Sequence, residues 1–295
     1  MHWLPHNQRK LQKRRLNEWR KGFKTPFGIF NSPNITPDPA HGIGRWTEAN
    51  FIEALRSGKS PKGEHYLPVF PYTSFSQMTN EDMRHLWAYM KTVPAIQTQN
   101  KTHEAHLIFR LRFSLGAWKM INFKAGAFVP QKNKDAQWNR DAYLVNALSH
   151  CGECHTPRNL MGGLKDDLHL SGTKDGPDGV SAPNITPYTT SIGDWSDDDL
   201  DTLFMIGMLP DGDFVGGGMA EVVENTDKMT PENRKAIMIY LIKSIPPSSA
   251  MPNDEHHDSH DKCALHRNRH KRAPLKRQIN RRLLSFRGYS TRCIC

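Results

Sequence analysis

An internal repeat constrains the fold of this chain more than any other feature of its sequence. Four motifs occur twice, in the same order and at an offset of 149 to 151 residues. They are SPNITP at 32–37 and APNITP at 182–187, GIGRW at 42–46 and SIGDW at 191–195, SGKSPKG at 57–63 and IGMLPDG at 206–212, and MTNED at 78–82 and MTPEN at 229–233. Chance does not supply four ordered matches, so the chain is interpreted as two copies of one domain.

Each copy is predicted to be mostly helical. Four residues have the character of helix N-caps, with acidic residues or a proline in the turn that follows: Thr47, Thr79, Ser196 and Thr230. Apolar residues after Thr79 recur with helical spacing and form one face. Pro94 and Pro246 are predicted to end the last helix of each copy, and the NIT segments to be loops. No stretch alternates with a period of two, so we expect little sheet.

A CxxCH motif, formed by Cys151, Cys154 and His155, carries the chemistry of the second copy. Two thiols three residues apart can add across the two vinyl groups of a haem, and the following imidazole then lies under the iron. An iron centre held in this way carries single electrons, and its axial ligands and burial set its potential. The motif therefore predicts covalent attachment of haem c.

Two other interpretations of the two thiols stay open at this point. A zinc half-site needs two further ligands, and the remaining cysteines, Cys263, Cys293 and Cys295, contain no second CxxC pair. A dithiol redox pair would normally lie in a βαβ pattern, whereas the flanking sequence is helical and turn-like. Both are less favoured than haem attachment.

Several segments have sequences that resemble those of a known family. These segments are PYTSF at 71–75, WNRDAYLVNAL at 138–148, CGECHTPRN at 151–159, APNITP at 182–187 and GMAEVVEN at 218–225. They resemble class I cytochrome c domains, and more closely the multihaem cytochrome c subunits of membrane-associated alcohol, gluconate and related dehydrogenases. The resemblance covers residues 25–247. It implies an all-α fold of two tandem class I cytochrome c-like domains, the first of them incomplete.

By this resemblance, His155 is the proximal axial ligand of the haem iron and Met219 the distal one. A His/Met pair suits a cytochrome c, because a soft thioether favours ferrous iron and raises the potential. Met219 follows three glycines, so we expect it in a flexible loop that approaches the haem closely. Met229 is the alternative ligand, and two further methionines, Met205 and Met208, are expected to pack.

Supporting residues around the haem are expected in the NIT loop and beyond it. A proximal histidine usually donates its other ring proton to a carbonyl group, and the Pro183 region is the candidate. Asn184 and Trp195 are candidates for contacts with the haem propionates or the haem edge. A structural role, as a turn residue or a core aromatic, is an equal alternative for each.

The first copy lacks its own cysteines. Cys151 precedes Asn184 by 33 residues, so the equivalent motif before Asn34 should begin at Met1, where the chain has MHWLPH. Reading these codons one nucleotide later spells CxxCH, provided that Leu4 is encoded by CTG and Pro5 by CCA. We therefore hypothesise that residues 1 to about 22 are read out of frame. Met78 is then the candidate distal ligand of the first domain, or an ordinary buried methionine.

The positive charge of the chain lies at its two ends. The net charge is +10, but residues 1–24 and 251–295 each carry about +7, which leaves the middle near −4. The tail after 247 is dominated by basic residues, so we expect disorder there, and a nucleic-acid-binding tail is less favoured. Residues 1–24 lack the apolar region of a secretory signal. The most apolar run, 107–123, contains three cations and predicts an amphipathic or partner-facing segment rather than a membrane span.

These observations predict five regions. They are an aberrant basic segment (1–24), an incomplete first domain (25–94), a linker that faces partner subunits (95–137), a second domain with the CxxCH motif (138–247) and a basic tail (248–295). One covalent haem c is expected, although the family carries two or more. Two alternatives remain: a non-functional, frameshifted copy, and a zinc module with nucleic-acid-binding tails.

The expected function is electron transfer without catalysis. By the resemblance, the haem takes electrons from a dehydrogenase catalytic subunit and passes them to a quinone or a terminal oxidase. The same resemblance implies the periplasmic side of a bacterial inner membrane, with membrane association through the complex.

Overall fold

Short helices joined by long loops dominate the computed structural model, which describes residues 22–25, 27–105, 114–176 and 179–249. Its strands are β1 (Gly22–Thr25), β2 (Gly28–Asn31) and β3 (Glu104–Ala105). Its α-helices are α1 (Glu48–Ser57), α2 (Tyr72–Phe75), α3 (Asn80–Met90), α4 (Ser114–Asn122), α5 (Ala136–Tyr143), α6 (Gly152–His155), α7 (Asp197–Ile206), α8 (Gly217–Thr226) and α9 (Pro231–Lys243). A π-helical turn (Leu144–Leu148) and a 3₁₀ turn (Asp166–Leu168) complete the elements. The expectations for 1–21 and for the tail from 250 onward fall outside the described residues.

The predicted N-caps are confirmed. Thr47 and Ser196 each accept a hydrogen bond from the backbone N–H three residues later, and both form a reciprocal capping box. At the start of α3 and α9, Thr79 and Thr230 each accept a hydrogen bond from the backbone N–H three residues later. These local bonds satisfy N–H groups that a helix leaves unpaired at its start, which explains why the sequence alone locates them. At the other end, α3 and α9 stop a few residues before Pro94 and Pro246, so those prolines follow the helix ends and do not themselves form them.

The two copies of the repeat share specific hydrogen bonds. In the first NIT loop, Asn34 Oδ1 accepts from the N–H and the hydroxyl of Thr36, at 3.0 and 2.7 Å. In the second, Asn184 Oδ1 accepts from the same two groups of Thr186, at 2.8 Å each. Both threonines are almost fully buried. The recurrence extends the sequence repeat to side-chain geometry.

The hydrophobic core is also divided between the two copies of the repeat. One cluster contains residues of the first copy only: Ile43, Phe51, Leu55, Met78, Met83 and Trp87. A larger cluster contains residues of the second copy only: Ala142, Leu144, Val145, Leu170, Ile192, Leu200, Phe204, Ala236, Ile237, Met238, Tyr240, Leu241 and Ile245. Leu148 packs against both clusters. It lies just before the CxxCH motif, so the two cores approach each other there.

A small sheet joins the segment 95–137 to the first copy. The strands pair antiparallel in the order β1-β2-β3, and β3 comes from that segment. Leu115 of α4 packs with Phe30 and Leu67 in a third cluster. The segment expected to be a linker is therefore partly built into the fold. Within the described residues, no helix is long and apolar enough to cross a membrane.

Candidate functional site

The CxxCH motif forms a single helical turn. Cys151 precedes α6, its N–H donates to Val145 O at 3.3 Å, and its carbonyl accepts from the N–H of His155 at 3.0 Å. Both thiols of the motif are free. Cys151 packs against the second core, and burial raises the pKa of its thiol to about 12, whereas Cys154 is exposed. The turn therefore presents two protonated thiols at the edge of the second core.

The imidazole of His155 is oriented by a backbone carbonyl. Its Nδ1 lies 2.8 Å from Pro183 O. Because a carbonyl oxygen only accepts, Nδ1 must carry the proton and Nε2 keeps its lone pair. Burial lowers the pKa of His155, which favours this neutral form, and the carbonyl opposes the effect. A histidine held in this way is prepared to bind a metal ion through Nε2. The Pro183 region was the expected source of a carbonyl for the proximal histidine, and the carbonyl oxygen of Pro183 lies at hydrogen-bond distance from His155.

Gly172 allows the NIT loop to approach His155, although no sequence pattern pointed to this residue. Its N–H donates to the carbonyl of His155 at 2.8 Å, and its φ is +86°. A Cβ atom there would lie 2.6 Å from Asn184 N and 2.9 Å from the carbonyl carbon of Pro183. Only glycine fits this approach without moving the loop. A single glycine in a loop has no local pattern that would have identified it.

Met219 lies in the first turn of α8, so the expectation of a flexible loop was wrong. Gly216 is the N-cap residue, and Gly217 enters the helix with a φ of +56°. The side chain of Met219 is partly buried against the second core, the same cluster that Cys151 contacts. Met229 packs against that cluster too, so both candidate ligands are on the same core.

Among the other methionines, Met205 departs from its expected role, whereas Met78 is buried, which is one of its two expected alternatives. Met205 is 39% exposed on α7, so the expectation that it packs was wrong. Met78 is 5% exposed within the first core. Its N–H donates to Phe75 O at 2.9 Å, and the N–H of Met229 donates to Thr226 O at 3.1 Å in the equivalent turn. The structural counterpart of Met78 is therefore Met229 and not Met219.

The remaining candidates are Asn184, next to Pro183 in the NIT loop, and Trp195 after that loop. Asn184 is buried, and its Nδ2 donates to Ser248 O at 2.6 Å, while its Oδ1 accepts from Thr186. These bonds close the NIT loop onto the segment after α9. Trp195 is partly buried against the second core. Contacts of either residue with a haem stay predictions.

The donor groups of the second copy match the requirements of haem c. This cofactor needs two thiols three residues apart, an imidazole whose Nε2 is available and a second axial donor. The CxxCH turn supplies the first two, and Met219 and Met229 pack against the same core as Cys151. In the part of the chain that the structure describes, no group of three or more Cys, His, Asp or Glu side chains could hold a metal ion. The residues present fit haem c.

Comparison with known proteins identifies the family. The chain is 42% identical to a "Diheme cytochrome c-type" protein of Cereibacter sphaeroides, over 75% of this chain and 73% of that protein. For the "Fructose dehydrogenase cytochrome subunit" of Gluconobacter japonicus the identity is 37%, over 75% of this chain and 46% of that one. For the "Gluconate 2-dehydrogenase cytochrome c subunit" of Pantoea cypripedii the corresponding values are 35%, 74% and 51%. No family model matches the chain.

The chain is a cytochrome of the c type, and it belongs to the family of diheme cytochromes and cytochrome c subunits of dehydrogenases. The resemblance inferred from the sequence is thereby confirmed, as is the prediction of an electron-carrier subunit rather than a catalytic one. The mostly helical fold agrees with such domains. The chain spans about half or less of the length of the dehydrogenase subunits that it matches.

Proposed function

We propose that the chain transfers single electrons through one haem c held by its second repeat. Cys151 and Cys154 would attach it covalently, and His155 and Met219 would be the axial ligands of the iron. The observation that carries this proposal is the 2.8 Å hydrogen bond from His155 Nδ1 to Pro183 O, beside two free thiols on the same helical turn. This bond directs the lone pair of the imidazole to Nε2, as axial ligation requires.

Bound haem supplies a one-electron ferric/ferrous couple, and the protein residues adjust it. The Pro183 carbonyl fixes the ring of His155 and increases its basicity. The thioether of Met219 favours the ferrous state and raises the potential. The apolar second core packs against Cys151 and Met219 and partly buries both. The chain itself makes or breaks no bond in an organic substrate.

The two repeats are proposed to be tandem class I cytochrome c-like domains, of which the first, 25–94, is incomplete. The recurring NIT-loop hydrogen bonds support this arrangement. Strand β1 includes residues 22–24, which lie before the expected boundary at residue 25. We assign Met78 a packing role, because it is buried in the first core and corresponds to Met229.

Partners are proposed from the names of the relatives. Those relatives include cytochrome subunits of fructose, alcohol and gluconate dehydrogenases. A dehydrogenase catalytic subunit would therefore donate electrons to this chain, and a quinone or a terminal oxidase would accept them. The complex would lie on the periplasmic side of a bacterial inner membrane and provide the membrane association.

Expression of the full chain with a grafted export signal and the haem maturation machinery tests the proposal. Pyridine haemochrome absorption after denaturation should show one haem per chain, and Cys151→Ala with Cys154→Ala should abolish it. A zinc module gives no such absorption. If the exported chain shows no haemochrome absorption, haem binding is refuted. A frameshifted, inactive copy would take up haem in this experiment but carry none in its native host.

The distal ligand is tested with a matched pair of variants. Met219→Leu should remove the weak red-edge absorption of methionine-ligated ferric haem and lower the midpoint potential, because a soft ligand for ferrous iron is lost. Met229→Leu, on the same core, should leave both unchanged. The reverse pattern would assign the ligand to Met229 and contradict the proposal for Met219.

A further inference from the structure

The haem-attachment turn contacts the first repeat through a buried carboxylate. Glu153, between the two cysteines, is 7% exposed and accepts hydrogen bonds from the hydroxyls of Thr73 and Ser74 on α2, the latter at 2.7 Å. Its other oxygen pairs with Arg158 Nη2, also at 2.7 Å. Thr73 and Ser74 precede Glu153 by about 80 residues and belong to the first repeat. The carboxylate therefore bridges the two repeats at the attachment site.

Burial makes this carboxylate costly unless it is paired. A charge removed from water is tolerated only where hydrogen bonds and an opposite charge replace its hydration. Glu153 has both, since two hydroxyls donate to one oxygen and a guanidinium to the other. Arg158 is itself held by the carbonyls of Gly162 and Glu153, at 2.9 and 3.1 Å. Covalent attachment by CxxCH does not require a charge between the cysteines, so the paired carboxylate calls for a separate explanation.

Further contacts connect the same part of the first repeat to residues just before the motif. The ring of Phe75 meets His150 edge-on, with ring centroids 5.3 Å apart. His150 directly precedes Cys151 and has a φ of +42°, a strained conformation for a residue other than glycine. The hydroxyl of Tyr143 accepts from the N–H of Thr79 at 3.0 Å and donates to Asp82. The segment 72–82 thus contacts the chain before and within the attachment turn.

We propose that the first repeat acts as the structural support of the second repeat's haem-attachment turn, and that Glu153 is the positioning residue that holds the turn to it. This inference rests on the proposed function. The carboxylate also lies within two residues of each attachment cysteine, so its negative charge favours the ferric state of an attached haem. The first repeat thereby holds the attachment turn of the second repeat and helps to set its potential.

The test uses two variants of the full, haem-loaded chain. Glu153→Gln keeps the shape and removes the charge, so the midpoint potential should rise. Thr73→Val combined with Ser74→Ala keeps the charge but removes two donors that partly neutralise it, so the potential should fall. Each should lower the melting temperature by roughly 5 °C or more, since a buried charged group loses a partner. A role confined to stability would not move the potential in opposite directions.

Glu224→Gln is the matched control, because Glu224 is exposed on α8 of the same repeat. Solvent screens its charge, so potential and melting temperature should change little. The proposal is overturned if Glu153→Gln behaves like this control, or if the Glu153 and Thr73/Ser74 variants shift the potential in the same direction.

A double-mutant cycle separates this inference from the proposed function. The melting temperature of the chain that combines all three substitutions should fall by less than the sum of the separate losses, because they remove the same contacts. This measurement needs no haem. If the haemochrome assay finds no covalent haem, the proposed function fails, whereas additive losses in the cycle would overturn the support role in either case.

Discussion

Replacing Gly172 with alanine should disrupt the proposed haem site from outside the CxxCH motif. The new Cβ would lie 2.6 Å from Asn184 N and 2.9 Å from the carbonyl carbon of Pro183, and both are backbone atoms that cannot rotate away. The NIT loop must then move, and the hydrogen bond from His155 Nδ1 to Pro183 O lengthens or breaks. Overpacking of this kind costs about 1–3 kcal/mol. The positive φ of +86° adds about 1 kcal/mol of backbone strain.

Gly212→Ala separates the two contributions. Gly212 has a φ of +88°, but a Cβ there would meet nothing within 4 Å, so only the backbone strain applies. Urea unfolding should show that Gly172→Ala loses about 1–3 kcal/mol more than Gly212→Ala. NMR should show faster solvent exchange of the His155 Nδ1 proton in Gly172→Ala only. Equal losses in the two variants, with unchanged exchange, would refute the role of Gly172 in positioning this loop.

Three further predictions concern other parts of the fold. Burial lowers the pKa of Lys119 to about 8 from 10.5, so between these pH values the unfolded chain binds more protons than the folded chain. The free energy of unfolding of the native chain relative to Lys119→Met should therefore rise from pH 8 to pH 10. A difference between the two chains that does not change with pH would contradict this. Asn184→Ala should cost about 1–3 kcal/mol in urea unfolding, because buried donors and acceptors lose their partner, whereas the exposed Asn225→Ala should cost far less. In the haem-free chain with its three tail cysteines replaced by serine, iodoacetamide should alkylate the exposed Cys154 faster than Cys151. Mass spectrometry of the peptides measures both rates, and equal rates would show that the burial of Cys151 does not protect it.

Local interactions made several features predictable. Helix caps depend on a side chain and a backbone N–H three residues apart, so Thr47 and Ser196 could be recognised from neighbouring residues alone. The CxxCH motif and the repeat are likewise written in short segments, and the family follows from them. Met219 was placed wrongly, because three glycines predict a loop, whereas Gly217 and Gly218 form the first turn of the helix with Met219.

The sequence by itself therefore determined the repeat, the capped helices, the attachment motif and the family. The tertiary structure alone decided which carbonyl orients His155, why Gly172 must be glycine and how Glu153 joins the two repeats. These contacts link residues from 11 to 80 positions apart, and no local pattern encodes such pairs. The contacts of His155 and Gly172 form when the second repeat folds around its own core, whereas those of Glu153 form only when the two repeats pack against each other.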